Sequence, residues 1–152
     1  MKTLKRTWAD VSMDDLEHNY NAIMGHIPSG CRFLGVIKAD AYGHGAVPVS
    51  QALTDLGAAC LAQVAPTPTG AGTAAAYLAV SNLEEAIQIR RAGIRTPILI
   101  LGYTPPEYAD SMVFMDITQE VHSLEYAEAL EAALSGTNYI LNVHLKLDTG
   151  MT

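Results

Sequence analysis

Apolar residues along this chain switch repeatedly between two periods. Short continuous or alternating apolar runs suit buried strands, and stripes at three- and four-residue spacing suit helices. Leu16, Tyr20, Ile23 and Met24 recur at helical spacing after Ser12, a good N-cap, and Pro28 stops this first helix. Residues 33–37 read as a buried strand. Val49, Leu53 and Leu56 form the next stripe, which Gly57 is expected to end. Residues 78–80 make a short strand, and Ser81 with Glu84 forms a capping box for a helix reaching Gly93. Residues 97–101 are the next strand, and Pro105 and Pro106 open the segment after it. Residues 123–136 are again helical, and residues 139–147 read as a strand.

This alternation predicts an α/β fold with a parallel sheet. Functional residues at strand ends point further, to a TIM (β/α) barrel. A complete barrel takes roughly 250 residues, and the pattern supplies only four to five βα units. The expected architecture is therefore a partial barrel.

Composition narrows the function classes. The 152 residues are 49% hydrophobic and 16% charged, with no apolar run long enough to cross a bilayer. Residues 1–8 lack the continuous apolar stretch of a secretory signal. Net charge is −7 and the nine Lys and Arg are scattered, so no basic patch exists for nucleic acid. Cys31 and Cys60 make no metal-ligand spacing, no metal site is expected, and the cytoplasm, which keeps such thiols reduced, is the expected compartment.

Residues 60–76, rich in Ala, Pro, Thr and Gly, have linker-like composition. Ala59-Cys60-Leu61-Ala62 is echoed by Ala76-Tyr77-Leu78-Ala79, so two versions of one strand are present. The expectation is an insertion at 60–76 that loops out and leaves the Tyr77 strand in the sheet. The alternative places residues 60–64 in the strand position.

The chemistry concentrates at Val36-Ile37-Lys38-Ala39-Asp40-Ala41-Tyr42-Gly43-His44-Gly45. A strand end holds the Lys38 amine rigidly, and burial there disfavours its charged form. A neutral amine attacks an aldehyde to form a Schiff base, as pyridoxal-phosphate enzymes require. The Gly43-x-Gly45 turn can bring N–H groups to a phosphate, and Tyr42 offers a hydroxyl. From the residues alone, a lysine snorkelling to solvent remains the competing reading. His44 reads as a hydrogen-bonded loop histidine. Near the end, Val143, Leu145 and Leu147 alternate with His144, Lys146 and Asp148, which places the polar trio on one strand face, inside a barrel. An interior ammonium needs a partner or must lose its charge.

The decapeptide closely resembles the signature around the cofactor lysine of the alanine racemases, fold-type III pyridoxal-phosphate enzymes. Four other segments agree in order: Arg6 to Ser12, Leu78 to Glu85, Pro97 to Gly102, and Leu145 to Met151. The resemblance implies a TIM barrel followed by a C-terminal β domain, with residues 1–152 the N-terminal barrel portion and the β domain absent. It implies pyridoxal 5'-phosphate held by Lys38, which moves the α-proton on one face of an amino-acid substrate. It further implies that Tyr42 contacts the cofactor phosphate, that Leu101 lines its ring, and that Lys146 matches a lysine carbamylated in many members. The Trp8 segment would pack against the C-terminal domain. In the family the second base is a tyrosine from the partner subunit of a homodimer, and the matching arginine, ring-facing group and late phosphate loops have no counterpart in these residues. The leading reading is therefore an L-alanine to D-alanine racemase of which this chain is an incomplete and by itself inactive portion. The alternative is a non-catalytic cofactor-binding or interaction protein whose unclosed barrel exposes strand edges.

Overall fold

Ser12 starts a helix as its hydroxyl allows: it accepts the Asp15 N–H at 3.1 Å at the head of α1 (Met13–His26). The structure, a computed structural model, describes residues 7–28, 31–61 and 76–150. The chain divides into two units, residues 1–31, which carry α1, and residues 32–152. In the first unit Trp8 is exposed and donates its indole N–H to Asp10 at 3.1 Å.

The second unit is built on a five-stranded, all-parallel sheet in the order β1-β2-β3-β4-β5, with strands at Phe33–Val36, Ala76–Val80, Ile98–Ile100, Ile117–Val121 and Val143–Leu145. Strand order equals chain order, and helices make the crossovers. This is the arrangement of a (β/α) barrel before closure. Between the strands run α2 (Lys38–Tyr42), α3 (Ala46–Leu61), α4 (Leu83–Arg91), the 3-10 turn η1 (Pro106–Tyr108), α5 (Ala109–Phe114) and α6 (Leu124–Ala133).

Register identifies the two faces of the sheet. Gly35, Leu78, Ile98 and Ile117 are successive partners, and a Cβ at Gly35 would come within 2.6 Å of Leu53 on α3. That row therefore faces the helices and forms the core, with Leu78 and Ile98 fully buried. The alternate row, Val36, Ala79, Leu99 and Thr118, faces the other side, joined by Glu120 opposite His144. This second face is concave. The Tyr77 and His144 rings lie 5.8 Å apart although two strands separate β2 from β5, a span of roughly 14 Å in a flat sheet.

Several boundaries differ from expectation. The helix of residue 49 continues through Gly57 to Leu61, because the alanines beyond it are strong helix formers and a mid-helix glycine costs only about 1 kcal/mol. The N-cap of α4 is Asn82, which accepts the Glu85 N–H at 3.0 Å, so the Ser81–Glu84 box is displaced by one residue. Only Val143–Leu145 of residues 139–147 pairs as a strand. The strand Ile117–Val121 was not anticipated. All five of its residues are buried, two of them as Gln119 and Glu120, so polar side chains interrupt the apolar run that marks a buried strand. Ala76–Val80 fills the sheet position between β1 and β3, while residues 62–75, with most of the expected insertion, lie outside the described residues.

Candidate functional site

Lys38 stands just past the end of β1, after Ile37, at the C-terminal edge of the sheet where barrel enzymes carry their chemistry. The chain there does something unusual. Ala39, Asp40, Ala41 and Tyr42 all take positive φ, between 51° and 55°, so α2 is a left-handed turn built from non-glycine residues. At roughly 1–2 kcal/mol each, four such residues store about 4–8 kcal/mol of strain. Strain of this size persists only where surrounding contacts over-determine the backbone.

Those contacts are visible on every side. The Ile37 N–H donates to the Ala79 carbonyl at 2.8 Å, and the Ile37 carbonyl accepts the Ala41 N–H at 2.8 Å. The Ala39 N–H donates to Glu85 Oε1 at 2.8 Å. Asp40 Oδ1 accepts the Ala46 N–H at 2.7 Å, capping α3. Gly43 and Gly45, with φ of 87° and 92°, end the turn, as the Gly43-x-Gly45 spacing requires. His44 places Nδ1 2.9 Å from the Ala41 carbonyl, the hydrogen-bonded loop position read from the sequence. The peptide groups flanking Lys38 are thus fixed, while among the described residues no hydrogen bond or ion pair engages its amine.

Glu85 joins the ends of two strands. Besides the Ala39 N–H, its Oε2 accepts the Ser81 N–H at 2.8 Å and the Ser81 hydroxyl at 2.9 Å. Burial pushes its pKa up, but the Ser81 and Ala39 N–H groups, the Ser81 hydroxyl and the Lys38 charge outweigh it and hold the carboxyl below its ordinary 4.5. With the folded value depressed, this stabilisation is complete above the ordinary value and is lost as pH falls through the lower, folded one.

Tyr42 is exposed at the end of the turn, and Leu101, half-buried, donates its N–H to the Val80 carbonyl at 2.8 Å just past β3. Lys38, Tyr42 and Leu101 therefore all occupy the C-terminal rim of the sheet. Lys146 lies past β5, its N–H donated to the Val121 carbonyl at 2.9 Å. Its Nζ is 3.9 Å from Glu120 Oε2, and Glu120 Oε1 is 3.2 Å from His122 Nδ1. His122 stacks on Tyr126 with centroids 5.0 Å apart, and the Tyr126 hydroxyl donates to the Thr104 carbonyl at 2.6 Å. Burial pushes the Tyr126 hydroxyl pKa up, the Thr104 bond partly opposing it and Tyr103 and Glu120 reinforcing it. Sequence reasoning passed over Glu85 and Glu120. The reach of Glu85 to Ala39 spans 46 residues, and Glu120 sits on the strand whose pattern was not legible.

A parallel sheet curling toward a barrel, with a lysine beside a strained turn at its C-terminal rim, defines a partial (β/α) barrel. The comparisons give the family. Residues 11–67 and, overlapping them, 61–152 match the description "Alanine racemase, N-terminal domain". The chain belongs to this family. It is 42% identical over 145 residues to an alanine racemase of Desulfovibrio desulfuricans, covering 95% of this chain and 34% of that protein. Among solved structures, an alanine racemase of Clostridium difficile 630 superposes with a TM-score of 0.79 at 38% identity, covering 99% of this chain and 35% of that one. A histidine racemase from Leuconostoc mesenteroides superposes with a TM-score of 0.68 at 27% identity, covering 91% and 32%. The chain spans about a third of the length of the relatives it matches.

Proposed function

We propose that these residues form the amine-bearing part of a pyridoxal-phosphate-dependent racemase that interconverts L- and D-alanine, with Lys38 as the catalytic lysine. The observation that carries this reading is the left-handed turn, four strained residues held by hydrogen bonds immediately after Lys38 at the C-terminal rim of the sheet. Such rigidity suits a group that must meet an aldehyde carbon and later an α-proton at one face of a substrate.

The residues present fit pyridoxal 5'-phosphate by their chemistry: a primary amine, an exposed tyrosine hydroxyl and an apolar side chain share one rim of the sheet. When bound, that group supplies the electron sink that makes an unactivated α-proton removable. Lys38 would hold the group and carry the proton on one face. Tyr42 would bind its phosphate, and Leu101 would pack on its ring. Lys146, whose side chain is exposed, is read here as the ammonium half of a pair with the buried Glu120; carbamylation, which the resemblance implies at this position, would instead set an anion beside that carboxylate.

Racemisation also needs a proton donor on the opposite face. Family resemblance assigns it to a partner subunit's C-terminal domain in a homodimer, so residues 1–152 alone are expected not to racemise. Alanine as substrate rests on the alanine racemase relatives, and a histidine racemase among the structural neighbours makes histidine the comparison substrate. The acidic composition and lack of a basic patch give nucleic acid no place among the partners. No helix among the described residues is long and apolar enough to cross a membrane, and we read the protein as cytoplasmic.

A chimera tests this reading. Residues 1–152 replace the matching third of the Desulfovibrio desulfuricans relative, and D-alanine formation from L-alanine is followed. Activity that disappears with Lys38→Ala is expected. A folded chimera that binds pyridoxal phosphate yet forms no D-alanine would contradict it.

A further inference from the structure

We infer that Glu85 is the positioning residue for Lys38, holding the left-handed turn in the one backbone conformation that aims the lysine. This rests on the reading of Lys38 as the catalytic lysine. Glu85 stands in the first turn of α4, and Asn82 already caps that helix by accepting the Glu85 N–H. The side chain of Glu85 is thus free to serve elsewhere. It spans two neighbouring strand ends, accepting from Ser81 after β2 and from Ala39 after β1.

The Ala39 N–H belongs to the peptide bond that leaves Lys38, so its direction sets the ψ angle of the lysine. Ala39 is also the first of the four residues with positive φ. Two independent facts therefore meet at one atom pair: the start of the strain and a charge-assisted hydrogen bond of 2.8 Å. Helix stability alone does not call for this contact, since an N3 carboxylate satisfies a capping box without leaving its own helix. The depressed pKa of the carboxyl keeps it an acceptor on both oxygens throughout the neutral range. A glutamine at this position has one carbonyl oxygen and an NH2 group, which cannot accept from Ser81 and Ala39 together.

The test compares Glu85→Gln with Asn82→Ala, which weakens the same helix without touching Ala39. Two quantities are read on the full chain: amide hydrogen exchange at residues 39–42, which needs no cofactor, and the rate at which pyridoxal phosphate with borohydride labels Lys38, mapped by peptide mass. Glu85→Gln is expected to speed exchange at Ala39 and slow Lys38 labelling, each by about tenfold or more, the scale of one lost charge-assisted hydrogen bond. Asn82→Ala, at equal or greater loss in thermal midpoint, should leave both within about twofold of the parent, since it removes only a cap. Unchanged exchange at Ala39 in Glu85→Gln, or the same response in both variants, would overturn the inference. If the parent chain is labelled elsewhere than Lys38, the functional reading fails instead, and the exchange data still decide whether Glu85 holds the turn.

Discussion

At Ala39 to Tyr42 four residues accept a backbone region that L-residues avoid, and elsewhere single atoms set how closely neighbouring strand ends approach. Gly102 is one such place. A Cβ there would lie 2.5 Å from the Ser81 carbonyl oxygen, which is backbone and cannot swing aside. Gly102→Ala should therefore part the ends of β2 and β3 and destabilise by about 1–3 kcal/mol, read as a lower urea midpoint at unchanged slope; a variant as stable as the parent would mean that the strands are not held this closely. Much of this scale was legible in sequence. Lys38, Tyr42 and the paired glycines stand together in one decapeptide, and Gly102 closes a segment that the resemblance marked. The role of Glu85 was not legible, because its partner Ala39 is distant in the chain and adjacent only after β1 and β2 pair.

Elements are tied together by buried polar groups as much as by apolar ones. Arg90, near the end of α4, donates Nε to the Met115 carbonyl at 2.7 Å and its terminal nitrogens to the carbonyls of Ile94, Thr96 and Asp116 at 3.0, 2.8 and 2.7 Å. One guanidinium thereby fixes the entries to both β3 and β4. Burial lowers its pKa, with Asp116 opposing and Arg95 adding to the shift. Arg90→Met leaves four carbonyls without this donor and should destabilise by at least about 3 kcal/mol, whereas Arg91→Met, at an exposed position, should stay within about 0.5 kcal/mol. Equal urea midpoints for the two variants would refute the assignment. Periodicity located α1, α4, α6 and the apolar strands. It missed β4, where Gln119 is buried by donating Nε2 to the Gly102 and Glu120 carbonyls, a tertiary solution that no period announces.

For the molecule as a whole, β1 and β5 are the edges of the described sheet. On the outer face of β5, Leu145 is 78% exposed, with Leu147 beyond it 82% exposed. An apolar edge of this kind pairs with other chains. Concentration-dependent association in sedimentation is expected, and Leu145→Lys should weaken it without lowering the thermal midpoint; association unaffected by that change would place the contact elsewhere. The fold class was legible because strand and helix periods alternate along the whole chain. The insertion expected at 60–76 rests on a composition shift and an echoed strand, and residues 62–75 lie outside the described residues.

The role proposed for Lys38 is that of the amine that takes the cofactor. The chain has four lysines, Lys2, Lys5, Lys38 and Lys146, so borohydride reduction after incubation with pyridoxal phosphate, followed by peptide mass mapping, assigns the label to one residue. Labelling confined to Lys38, and abolished by Lys38→Ala, is the result expected. Label distributed over Lys2 and Lys5, or found on Lys146 in preference to Lys38, would contradict it.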